Sequence, residues 1–346
     1  MKVFIILLLF VGMAFPVQAE EITAPPVTGE AEALMPEGMP SFGEGLLYIL
    51  KTAVKTLRPD LAVSCRLCLS VIAIAMLVSL LNSFSSKTAD LANMAGVLGV
   101  GTILLGTANT LIHTATQTVQ QISSYGKLLL PVMTAAVAAQ GGTVSSATLY
   151  TGTAFFDALL GSVISALIVP MVYLFLALVI GHSAIGESIL KQLRDLLKWL
   201  ITWSMKTVLY VFTGYISISS LISGGTDKAA LKAAKLTISG AVPVVGGIMS
   251  DASETILLGA GVVKNAAGVY GILAVLAILV LPFLRVGILY LMLKGTAAIC
   301  GVFSAGKIHE VVQGFCDAMG FLLGMTGTVS LLFLISIVCF LKGVSS

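Results

Sequence analysis

Residues 155–181 read FFDALLGSVISALIVPMVYLFLALVIG, and Asp157, near the start, is their only charge. About 20 apolar residues suffice for a helix to cross a hydrocarbon core of about 30 Å. The stretch is apolar all round rather than along one stripe, as expected of a helix surrounded by lipid or protein. Comparable runs lie outward on both sides, at about 61–81, 92–112, 128–149, 207–223, 237–263, 268–293 and 317–341, separated by short polar connectors. The composition agrees: of 346 residues 58% are hydrophobic and 10% charged, and the mean hydropathy is +1.05. Soluble domains are nearer 45–50% apolar and about 25% charged. A soluble enzyme, a charged disordered chain and a nucleic-acid binder are thereby excluded. A transmembrane barrel would show alternating segments of about ten residues instead. The expected fold is all-α, a polytopic helical membrane protein with about six to eight spans.

Two runs do not read as simple spans. Run 128–149 carries Pro131 and then Gln140-Gly141-Gly142-Thr143, and run 237–263 carries Pro243, Gly246-Gly247, Asp251 and Glu254. Backbone leaves the helix at membrane depth only where protein or water satisfies it, so both runs read as broken helices or re-entrant hairpins. Pro131 and Pro170 are spaced like Pro243 and Pro282, which suggests an internal repeat with units 95–186 and 207–298. Such repeats are common in transporter folds. If both broken runs cross, the units are inverted; if both are re-entrant, they are parallel. The Lys/Arg distribution favours neither, because neither topology gives a cytoplasmic excess.

The N-terminus reads as a secretory signal. Lys2 precedes an apolar core from Val3 to Phe15, and Val17-Gln18-Ala19 supplies small residues for cleavage after Ala19. Residues 20–60 are then translocated. The Glu- and Pro-rich part, 20–44, reads as a flexible acidic linker. Residues 43–58 follow as an amphipathic helix, with Leu46, Leu47, Leu50, Val54 and Leu57 on one face and Lys51, Lys55 and Arg58 on the other. Such a helix lies on membrane lipid or docks on a partner helix, or it is a solvated helix packed on its own protein. The multi-span domain is expected over 61–343. Within it, 187–206 reads as an interfacial helix, with Trp199 and Trp203 at the headgroup level.

Ionisable groups at membrane depth are costly and face protein or water. The candidates are Asp251 and Glu254, three apart on one helix face, with Lys264 after them, Arg285 three residues beyond Pro282, and Asp157 at the start of its span. They read either as a polar path or as structural pairs, such as Arg285 with an acid of the broken run. Enzyme signatures are missing: His113, His182 and His309 stand alone, and the glycines at 99, 101 and 106 precede no phosphate-binding lysine. No cofactor motif occurs. Cys65 and Cys68 form a CxxC without the second ligand pair that a zinc site needs. Gly320-x-x-x-Gly324 and Gly161-x-x-x-Ser165 have the small-residue spacing of close helix contacts.

The block Val242-Pro243-Val244-Val245-Gly246-Gly247-Ile248-Met249-Ser250-Asp251-Ala252-Ser253-Glu254-Thr255, with Lys264-Asn265-Ala266-Ala267-Gly268 and Leu129-Leu130-Pro131-Val132, resembles the stage III sporulation protein AE family. The resemblance runs from about residue 42 to 343. It implies a multi-pass protein of the mother-cell membrane around the forespore, in a complex with the other stage III sporulation A membrane proteins. Through them it would meet forespore protein Q, in a channel or feeding tube linking mother cell and forespore. It implies no catalytic residue and no cofactor. Gly246, Gly247, Ser250, Asp251, Lys264 and Asn265 match the family pattern at the broken run. A permease-like transporter and an assembly scaffold without its own conduit remain as alternatives.

Overall fold

The computed structural model describes residues 25–27, 29–36, 42–84, 89–140, 142–241, 246–303 and 306–342, with side chains except over 219–264 and at 342. The expected signal sequence and the expected break at Pro243 lie outside the described residues. Among the described residues there is no strand. A 3₁₀ segment, Gly29–Leu34, precedes α1 (Phe42–Thr56), α2 (Arg58–Phe84), α3 (Ala89–Ala139), α4 (Thr143–Val163), α5 (Val169–Ile185), α6 (Ser188–Ala241), α7 (Gly246–Val302) and α8 (Gly306–Lys342). Among the described residues five stretches are long and apolar enough to cross a membrane: α2, α3, α4–α5 together, Asn265–Val302 of α7, and Gly306–Leu341 of α8.

Side-chain pairs fix the direction of each helix. Asn82 donates to Asn93 (2.9 Å), closing the α2–α3 hairpin. Ser79 donates to the Phe303 carbonyl (2.8 Å) and Arg285 meets Asp60, so α2 and α7 run parallel. Ser123 pairs with Asp157 and Asn109 with Tyr173, so α4–α5 returns along α3. Lys198 with Asp317 and Tyr215 with the Thr148 carbonyl carry α6 back alongside α8 and against α4. The chain is therefore an up-and-down bundle. The junctions at Asn82–Asn93, Ile185–Ser188 and Val302–Gly306 lie at one end, and those at Gln140–Gly142 and Ala241–Gly246 at the other.

Run 155–181 is helical throughout. Near Pro170, which has no N–H to donate, the turn widens over Ile164–Ile168, and the Val169 N–H donates to the Ile164 carbonyl five residues back. Run 128–149 is the tip of a helical hairpin: α3 stops after Ala139, the N–H groups of Gln140 and Gly142 both donate to the Val137 carbonyl, and α4 starts at Thr143. The expected break is thus present, but at the glycines, since Pro131 lies inside α3. Run 237–263 straddles the junction of two antiparallel helices, α6 and α7. Under the spacing of the suggested repeat, Ala139, where α3 ends, corresponds to Asp251, which lies inside α7.

Two expectations are corrected, and a third is decided in favour of packing on the chain itself, through a face other than the expected one. Residues 113–127 are not a connector between spans but the middle of α3, where the hydroxyls of Thr114, Thr116 and Thr118 donate to carbonyls four residues back and so satisfy themselves within the helix. The acidic segment is not wholly a linker, because Val27, Ala31 and Leu34 are buried. Finally, α1 docks on α7 through Gly45, Ile49 and Ala53, leaving Leu47, Leu50 and Val54 outward. The small residues allow close approach to α7, and the outward leucines and valine fit lipid.

The helices are longer than one bilayer needs. With 51 residues α3 extends about 75 Å at about 1.5 Å per residue, against a hydrocarbon core of about 30 Å. By contrast α2, with 27 residues, is about one core thickness long, and only 22% of its apolar window is buried. It lines only the first half of α3, which marks that half as lipid-facing. Of the glycines expected to allow close approach, Gly324 does so, against Met205, whereas a side chain at Gly320 would meet Tyr290 only at ordinary contact distance and Gly161 faces open space.

Candidate functional site

Arg285 anchors a polar level inside this apolar bundle. Its Nε donates to Asp60 Oδ2 (3.0 Å) and its Nη1 to Glu30 Oε2 (2.9 Å). The guanidinium side chain is 25% exposed, Asp60 37% and Glu30 67%. Asp60 belongs to the first turn of α2, where the helix dipole favours an anion. Glu30 comes from the 3₁₀ segment, held in place by the burial of Val27, Ala31 and Leu34 and by a hydrogen bond between Tyr270 and the Val27 backbone. A guanidinium offers donors in a fixed fork and can hold two carboxylates at once. Arg285 thus fastens the segment before α1 and the foot of α2 to the middle of α7. Its partners are not the acids of the broken run.

Level with this clamp, α3 turns polar over Thr114–Ser124. Gln117, Gln120, Gln121, Ser124 and Tyr125 join Pro26, Val27, Leu128 and Ile278 around a groove of about 460 Å³. Tyr125 is 4% exposed, and its hydroxyl has no hydrogen-bond partner among the described residues. Sequence reading missed this groove. The signal was there, in glutamines and Ser124 recurring three, four and seven residues after Gln117 on one helical face.

The other candidates divide. Asp157 is buried and accepts a hydrogen bond from Ser123 (2.6 Å), joining α3 to α4. Asn265 is exposed on α7. The backbones of Gly246, Gly247, Ser250, Asp251, Glu254 and Lys264 are helical in α7, while their side chains lie outside the described residues. Trp199 and Trp203 are exposed and stack at 5.9 Å. Of the CxxC pair, Cys65 is exposed and Cys68 buried. Among the described residues no group of His, Cys, Asp and Glu could hold a metal.

Fold and polar level together define a polytopic helical membrane protein. A family model described as stage III sporulation protein AE matches residues 33–343. The chain belongs to that family. Stage III sporulation protein AE of Bacillus subtilis (strain 168) is 26% identical over 257 residues, covering 74% of this chain and 64% of the relative, just under two thirds of its length. No solved structure matches.

Proposed function

We propose that this chain is a mother-cell membrane component of the stage III sporulation A complex and contributes to the channel or feeding-tube apparatus between mother cell and forespore. The observation that carries the reading is the family match over residues 33–343, which takes in the five candidate spans. Its partners would be the other stage III sporulation A membrane proteins and, through them, forespore protein Q. In the conduit form, Gly246, Gly247, Ser250, Asp251, Glu254, Lys264 and Asn265 line a path at the α6–α7 hairpin, and the secretory signal at 1–19 delivers residues 20–60 to the intermembrane side. No catalytic step is assigned.

One observation favours the scaffold alternative: Arg285 is engaged by Glu30 and Asp60, so this intramembrane charge has a structural task. The two readings separate in an endospore former lacking its own copy and expressing this chain. Asp251→Asn and Glu254→Gln are each scored for copurification of the complex and for a forespore late-stage reporter. The conduit reading expects copurification to persist while the reporter falls. Loss of both together contradicts it and selects the scaffold.

A further inference from the structure

The groove beside the clamp has features that structural packing does not require. Its polar wall is one face of α3: Gln117, Gln120, Gln121 and Ser124, none of which bonds another side chain or backbone group among the described residues. Its floor includes Tyr125, 96% buried by its 4% exposure, with a hydroxyl that finds no partner there either. A buried hydroxyl ordinarily finds a partner, and leaving it unpaired costs more than the bond gains. The opposite wall is apolar: Pro26, Val27, Leu128 and Ile278. The volume, about 460 Å³, falls within the range of small-molecule sites, about 300–1,000 Å³.

The geometry points to a binding site for a small uncharged solute with several hydroxyl or amide groups on one edge and an apolar face on the other. Amide side chains offer both donors and acceptors, which suits hydroxyls and amides alike. Among the described residues no Asp, Glu, Lys or Arg lines the groove, and the nearby Arg285 is committed to Glu30 and Asp60. A charged ligand would therefore meet no counter-ion among the described lining residues, whereas a neutral one needs none. The apolar wall matches the C–H face of a pyranose ring. A site of this kind is built by this chain alone and does not depend on whether the wider complex conducts.

The test uses the full chain in lipid nanodiscs and three probes of similar size: N-acetylglucosamine (neutral), glucosamine (cationic) and glucuronate (anionic). Binding is read by saturation-transfer NMR and titration calorimetry. N-acetylglucosamine is expected to bind at least tenfold more tightly than either charged probe. Gln117→Ala combined with Gln120→Ala should weaken it about tenfold. Gln120→Asn, which keeps the amide, controls for folding, as does an unchanged melting temperature. Equal binding of the three probes, no binding of any, or full affinity in the double variant overturns the proposal.

Discussion

Arg285, in the middle of α7, donates from Nε to Asp60 in the first turn of α2 at 3.0 Å, across 225 positions of sequence. The pair closes the bundle on itself, since it ties the first candidate span, α2, to the fourth, in α7, and, through Glu30, holds the segment before them. Charge-assisted bonds contribute more than neutral ones, but exposure reduces them. Arg285→Gln should lower stability by about 1–2 kcal/mol, read as a lower melting temperature in nanodiscs. It should also make residues 25–36 more sensitive to protease. Arg285→Gln with Asp60→Asn should cost less than the sum of the two single changes. An additive double variant would show that the pair is not coupled.

The contact between α3 and α8 is set by Gly126. A Cβ there would collide with the Phe333 ring, and Phe333 is fully buried. Gly126→Ala should destabilise by about 1–3 kcal/mol through overpacking. Gly106→Ala, in the same helix but facing open space, should be neutral or stabilising by up to about 1 kcal/mol from helix propensity. The paired melting temperatures check this, and equal effects would refute close packing at Gly126.

Sequence legibility followed the range of each interaction. The helical membrane class was plain from runs such as 155–181, because hydropathy is a local property. The α3 break at Gln140–Gly142 was legible from its glycines. The continuity of α3 through 113–127 was not, since a threonine- and glutamine-rich run looks like a connector until its hydroxyls are seen bonding their own helix. Arg285 was legible as a costly charge, but its partners lie 225 and 255 positions away. The outward face of α1 was misread because Gly45 and Ala53 carry little hydropathy, yet they form the docking surface. The groove was missed because glutamines on a helix match no motif.

Asp157 is buried and accepts a hydrogen bond from Ser123 at 2.6 Å. Ser123→Ala removes that donor and should cost about 1–3 kcal/mol. Asp157→Asn keeps an acceptor for Ser123 while removing a charge from an apolar setting, so it should cost less. The order of the two melting temperatures decides. A larger loss for Asp157→Asn would mean that the charge itself is needed at this place in the bundle.

The central structural claim is that run 128–149 folds back on itself as the tip of the α3–α4 hairpin, in an up-and-down bundle. Single cysteines at Lys127, Tyr150 and Glu187, placed in a chain freed of its five native cysteines, test it directly with a membrane-impermeant maleimide applied from either face. The bundle predicts that positions 127 and 150 label from one face and position 187 from the other. Labelling of 127 and 150 from opposite faces would make 128–149 a crossing segment and contradict the bundle.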